Sequence, residues 1–150
     1  MVRNIRTVQA AQIPLAPQAP ASPGNWSAYP AAVARRVAHN FPGQLTGLDI
    51  ALAGDLPPAA GLSSSSALIV GLFLLLSRSN HLDQRAEYQA SITTAEDLAG
   101  YLGCVENGQS FHGLAGERGV GTFGGSQDHA AILLGRAGCF SRIKFAPVHV

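Results

Sequence analysis

Charged residues are scarce in this chain. Asp, Glu, Lys and Arg make up only 13% of its 150 residues, and they nearly cancel, to a formal net charge of +1. A broad nucleic-acid surface needs a basic stripe, so that class of partner is excluded. Cysteine is almost absent: Cys104 and Cys139 are the only two. With no C-x-x-C pair and no paired histidines they do not make a zinc site, and they read as reduced intracellular thiols. Long apolar runs are missing too. Ala67 to Leu76 is apolar apart from Gly71, but a bilayer span needs about 20 such residues. The N-terminal MVRNIRTVQAAQIPL has arginines and no continuous apolar stretch of the kind a signal peptide carries. These absences predict a cytoplasmic protein with neither membrane nor nucleic acid among its partners.

What is present is apolar. Hydrophobic residues make up 47% of the chain, enough for one domain with a real core. So little charge on a folding chain also suggests surface that is meant to be covered. Residues 8–24 carry Pro14, Pro17, Pro20 and Pro23, a spacing that favours extended chain. Residues 1–24 therefore read as an extended or partly ordered arm, a plain loop or a polyproline ligand, and residues 25–150 as the domain.

Inside the domain a helix is expected from Trp26 or Pro30 to His39, with Ser27 as N-cap and Tyr29, Val33 and Val37 on one face. Gly47 to Leu56 alternates Leu48, Ile50 and Leu52 against Asp49, Ala51 and Ala53, which predicts a half-buried strand. A core helix is expected from Ser64 or Ser65 to about Ser77, and another from Asp83 to roughly Tyr101, weakened at Ser91 to Thr94. A glycine-rich segment, Gly108 to Gly125, leads to a short helix from Ser126 or Gln127 to Leu134. Gly138 to Phe145 alternates as a strand, and Val148 to Val150 begins a further element.

Two stretches carry chemistry. The first is Gly61-Leu-Ser-Ser-Ser-Ser66, placed at the start of the apolar helix. The first N–H groups of a helix have no intrahelical partner, and the dipole there is positive. Backbone donors beside hydroxyls make a phosphate cradle, and a hydroxyl so placed also ligates Mg²⁺ in other phosphate loops. No lysine follows the glycine, so this is not the G-x-x-x-x-G-K-[ST] pattern. The plainer reading is that Ser63 caps a core helix. The second stretch runs from Glu106-Asn-Gly-Gln to Gly121-Thr-Phe-Gly-Gly-Ser-Gln-Asp-His129. Its glycines let backbone approach a ligand, and Asp128 opens a helix. There it either accepts a proton from a substrate hydroxyl or is a first-turn acid that complements the dipole.

The residues from Pro57 to Ala67, PPAAGLSSSSA, resemble the nucleotide-phosphate motif P-x-G-x-G-L-S-S-S-A-A of the GHMP kinases, a family that includes galactokinase, homoserine kinase and mevalonate kinase. Ala59 stands for a glycine and Ser66 for an alanine, both small enough to keep the turn. The resemblance implies that Pro57, Ala59, Gly61, Leu62, Ser63, Ser64, Ser65 and Ser66 bind the nucleotide phosphates and that Ser65 is the Mg²⁺-binding serine. Gly-Gly-Ser-Gln-Asp-His resembles the C-G-x-M-D-Q segment of galactokinase-type sugar kinases, with His129 in place of a glutamine. By that resemblance Asp128 contacts the accepting hydroxyl as the proposed base, and Gly124 and Gly125 stand beside it in the substrate site. Glu106 resembles the family's magnesium-binding glutamate. Glu117 is its rival, and Glu106 is preferred because a helix end holds a ligand more rigidly than a glycine loop. Trp26-Ser-Ala-Tyr29 resembles a W-x-x-Y helix start whose tryptophan lies near the nucleotide base. From the residues alone it is equally a core aromatic pair.

The implied fold is α+β, the ribosomal-protein-S5-like N-terminal domain of these kinases. The implied reaction uses ATP and Mg²⁺ to phosphorylate a sugar hydroxyl, with galactose, arabinose, a uronic acid or a heptose as the sugar. The family's sugar-contacting G-E-H-x-D-Y stretch and its C-terminal domain have no match here. The chain is therefore expected to be a partial, incomplete domain, inactive by itself, with a missing C-terminal kinase domain covering part of its surface. The alternatives are a non-catalytic nucleotide- or sugar-binding module and a truncated inactive product.

Overall fold

The computed structural model describes residues 1–5, 8–20, 24–56, 61–122, 125–145 and 147–150. Helices form its body. Helix α1 (Ala28–Asn40) packs on α2 (Ser64–Asn80) and on α4 (Ala95–Asn107), and α5 (Gln127–Leu134) packs on α4 and α2. The shared interior holds Val33, Val37, Ile69, Leu72, Phe73, Tyr101, Leu102 and Val105, each at most a few per cent exposed. Phe73 and Phe111 meet the Tyr101 ring edge-on, at centroid distances of 5.5 and 6.1 Å, the arrangement aromatic quadrupoles favour.

Three short strands lie beside the helices in the order β2 (Ala10–Ala11), β1 (Val2–Asn4), β3 (Ile50–Leu52). Strand β1 runs antiparallel to β2 and parallel to β3, pairing Val2 with Ile50 and Asn4 with Leu52. The first residues, expected as an arm, are thus extended in part and fastened to the body. Val2 is buried, Ile13 and Leu15 pack on the core, and the Ala19 carbonyl accepts a hydrogen bond from Arg35. The alternation across β3 follows the expected faces, with Leu48, Ile50 and Leu52 half-buried and Asp49, Ala51 and Ala53 exposed. Its paired length is only three residues, because β1 offers no more.

Three other expectations need correction. The single helix from Asp83 to Tyr101 is three pieces: a 3-10 turn (Leu82–Gln84), α3 (Ala86–Ser91) and α4. The break falls where Thr94 becomes an N-cap. Its hydroxyl accepts from the Asp97 N–H, and the Asp97 carboxylate accepts from the Thr94 N–H, each at 3.0 Å. This reciprocal capping box restarts the helix. The strand from Gly138 to Phe145 pairs only at β4 (Lys144–Phe145), against β5 (Val148–His149). Residues 138–143 have no partner strand among the described residues, and Phe140 is fully exposed. Ser27 stands at the N-cap of α1, but its side chain makes no capping bond; Asn25 instead accepts from the Ser27 N–H at 3.0 Å and the Ala28 N–H at 2.9 Å.

Both thiols are free, Cys104 half-buried and Cys139 exposed. Among the described residues no helix is long and apolar enough to cross a membrane.

Candidate phosphate and metal site

The serine turn enters α2 through two left-handed residues, Gly61 at φ 71° and Ser63 at φ 53°. Glycine takes that conformation freely; for a residue with a Cβ it costs about 1–2 kcal/mol. Ser63 occupies the N-cap position, yet its hydroxyl caps nothing. The reading in which Ser63 is simply a helix cap therefore has no hydrogen bond behind it. The helical ladder begins with the Ala67 N–H on the Ser63 carbonyl at 3.0 Å. The N–H groups ahead of Ala67 stand at a positive helix end, where a left-handed residue followed by helical ones makes an anion-accepting concavity. Gly61, Leu62 and Ser64 are exposed, Ser63 and Ser65 half-buried, and Ser66 is buried at 2% exposure. Pro57, Ala59 and Gly124 lie outside the described residues.

Glu106 is the penultimate residue of α4. The helix ends on Gly108 at φ 79°, whose N–H caps the Cys104 carbonyl, so the carboxylate sits on a well-defined last turn. It is buried at 7% exposure and points between α2 and α5. Ser66 donates from Oγ to Glu106 Oε2 at 2.9 Å. His129 Nε2, from the first turn of α5, stands 3.1 Å from the same oxygen, at ion-pair distance though off the ideal N–H line. Ser65, the preceding residue of α2, also favours the charged form of this carboxylate, less strongly than Ser66. Burial presses the Glu106 carboxyl upward. The contacts from His129, Ser66 and Ser65 outweigh it and hold the group below its ordinary value, as a carboxylate.

Glu117 is occupied elsewhere. Its Oε1 accepts from Arg35 Nε at 2.8 Å, and its Oε2 lies 3.7 Å from His39 Nδ1. Both partners belong to α1, which holds the glycine-rich segment against the helix body. Arg36 donates to the Gln109 carbonyl and, at 2.7 Å, to Asn40 Oδ1; Asn40 in turn donates to the Ala115 carbonyl at 3.1 Å. The backbone of this segment closes tightly on α4. The Val120 N–H reaches the Glu106 carbonyl at 2.9 Å, and a Cβ on Gly119 would stand 2.3 Å from that same oxygen. Only glycine fits at residue 119.

The remaining expected residues are more scattered. Asp128 opens α5 but is exposed, with no hydrogen-bond partner among the described residues. Gly125 lines a groove of about 310 Å³ together with Gly100, Gly103, Cys104, Phe111 and Phe145. None of Ser63 to Ser66, Glu106 or Asp128 borders it. Trp26 and Tyr29 are half-buried and pack against the hydrophobic core. The structure thus brings Ser65, Ser66 and Glu106 together and adds His129, which sequence reasoning noted only as a departure from a motif. The sequence carries no periodicity that links His129 to Glu106, since the two sit on different helices.

The sequence pattern described as the GHMP kinases N terminal domain matches residues 28–136. The chain belongs to the GHMP kinase family. That match covers α1 through α5, and with them the serine turn, Glu106, the glycine-rich segment and Asp128. It makes the chain a member of a phosphotransferase family. The mixed helix and sheet content agrees with an α+β N-terminal domain of such a kinase. No curated protein and no solved structure matches.

Proposed function

We propose that the chain serves ATP-dependent phosphoryl transfer to a sugar hydroxyl, galactokinase-like in kind, and that the α2–α4–α5 junction is its nucleotide-phosphate and metal side. One observation carries this reading. An anionic Glu106 from α4 meets Ser65 and Ser66 at the start of α2, beside an uncapped, left-handed helix entry.

The donors fit the expected metal. Among the described residues no group of three or more His, Cys, Asp or Glu is assembled that would hold a metal ion unaided. A hydroxyl and a carboxylate are hard oxygens, the sparse set on which Mg²⁺ is held while it keeps waters and nucleotide phosphates. Ser65 and Glu106 would hold it, and its chemistry when bound is to neutralise charge on the phosphates. The N–H groups of Ser64 to Ser66 would bind and orient the phosphate oxygens. Asp128 would orient the accepting hydroxyl or take its proton.

The exposure of Asp128 and its lack of a hydrogen-bond partner among the described residues favour a second reading, a non-catalytic nucleotide-binding module. ADP release measured over a panel of galactose, arabinose, a uronic acid and a heptose separates the two. The kinase reading predicts release that depends on one of the sugars and disappears in Asp128→Ala. Such release would also overturn the expectation that the chain by itself is inactive. Nucleotide binding with no release on any sugar would favour the module, and absence of nucleotide binding would contradict both.

A further inference from the structure

Three helices converge on one carboxylate oxygen. Glu106 Oε2 receives Ser66 Oγ from α2 at 2.9 Å and His129 Nε2 from α5 at 3.1 Å. Oε1 takes part in neither contact. The His129 side chain is 2% exposed, and among the described residues neither buried ring nitrogen has a hydrogen-bond partner; Nε2 stands at ion-pair distance from Glu106, and Nδ1 lacks even that. An imidazole used only to fill space would give way to an apolar side chain, which leaves no buried polar atom unsatisfied. Ser66 and His129 are also two of the positions, with Ala59, Gly124 and Gln127, at which this sequence departs from the motifs it otherwise resembles. Those two, far apart in the chain, meet on the same atom.

We propose that His129 and Ser66 are a positioning pair that fixes the Glu106 carboxylate by Oε2 and turns it toward Ser65, ready for a divalent cation. The inference rests on the proposed metal role of Glu106 and goes beyond it, by assigning the residues that orient that ligand. The physical reason is rotational. An unrestrained glutamate at a helix end samples several rotamers. Two contacts from separate helices on one oxygen select a single orientation. Groups that hold a metal ligand from behind typically alter metal affinity by about 10–100-fold when removed.

The test is Mn²⁺ binding, followed by the electron paramagnetic resonance of free Mn²⁺, on the full chain with a saturating non-hydrolysable ATP analogue. His129→Leu is expected to weaken Mn²⁺ by about 10–100-fold and to leave metal-free nucleotide affinity, measured in EDTA, unchanged. His129→Gln, which keeps a polar N–H group beside Glu106, is expected to restore most of the affinity. Ser66→Ala removes the other contact in a side chain small enough to preserve the fold, and is expected to weaken Mn²⁺ in the same direction. Circular dichroism melting reports which variants fold, and the serine variant carries the test if His129→Leu does not. Binding by the unchanged chain that is equally strong in Ser66→Ala and in a folded His129→Leu would overturn the positioning pair alone. No Mn²⁺ binding by the unchanged chain would overturn the metal role of Glu106, and the pair with it.

Discussion

Thr94 shows how much of this fold rests on single side chains. It stops α3 from running into α4, and it sets the start of the helix that delivers Glu106. Replacing it by alanine removes the hydroxyl that accepts the Asp97 N–H. Loss of an N-cap of this kind costs about 1 kcal/mol, so Thr94→Ala is expected to lower the urea midpoint by that equivalent with an unchanged slope. The partner carboxylate adds a pH signature. Slight burial pushes the Asp97 carboxyl up, but hydrogen bonds from Thr93 and Thr94 outweigh it and lower its pKa. A carboxyl lowered on folding contributes stability above its unfolded pKa of about 3.9, and that contribution is lost as pH falls through the folded value. The stability gap between the wild-type chain and Asp97→Asn should therefore close on acidification below about pH 4. The same scale shows what was legible. The hydroxyl run announces itself locally, because a turn is made by neighbours. Ser27 and Ser63, expected as caps, make no capping bond, and Thr94, which makes one, shows in the sequence only as a weak point in a helix. The contact of His129 with Glu106 does not announce itself at all, because nothing within a few residues of either encodes it.

Among the elements, α4 does the most positioning. One face buries Ala99, Leu102 and Val105 in the core, and its last turn carries Glu106. Another face is kept bare by Gly100 and Gly103 so that its neighbours can come close. A Cβ on Gly103 would lie 2.7 Å from the Ser126 Cβ and 2.8 Å from its Cα, and Ser126 is the residue from which α5 starts. Gly103→Val must push α5 away, and overpacking of this sort costs about 1–3 kcal/mol. It is expected to lower the melting temperature, and because α5 carries His129, to loosen the carboxylate as well. Gly71, on the exposed side of α2, meets nothing within 4 Å, so Gly71→Ala is the matched control and should stabilise through helix propensity. The alternation around β3 and the unbroken apolar run of α2 were readable because burial leaves its mark on contiguous sequence. The break between α3 and α4 was readable only as weakness. Ser91 to Thr94 are poor helix formers, but the choice between a weak helix and a break was made by the Thr94–Asp97 capping box. The strand from 138 to 145 failed for the opposite reason. Alternation is a property of the segment, whereas a strand needs a partner, and only two of its residues have one.

At the scale of the whole molecule, the site exists because separate elements fix its parts. The apolar length of α2 anchors that helix and so aims its uncapped N-terminus. Arg35, Arg36 and Asn40 of α1 hold the glycine-rich segment and keep Glu117 engaged away from the serine turn. That leaves Glu106 as the carboxylate beside Ser65 and Ser66. Family membership was visible in the sequence, since it lives in contiguous motifs, and the same motifs carry the proposal that the serine turn binds phosphate. The choice between the two glutamates was argued there from rigidity alone and acquires a geometric reason only in three dimensions. By the proposal above, this junction binds a magnesium–nucleotide complex through Ser65 and Glu106. Calorimetric titration of the chain with ATP, with and without Mg²⁺, tests it most directly. Saturable binding strengthened by Mg²⁺ is expected, with the Mg²⁺-dependent part lost in Ser65→Ala and in Glu106→Gln while Glu117→Gln retains it. Binding that ignores Mg²⁺, or that Glu117→Gln abolishes and Glu106→Gln leaves intact, would contradict the proposal.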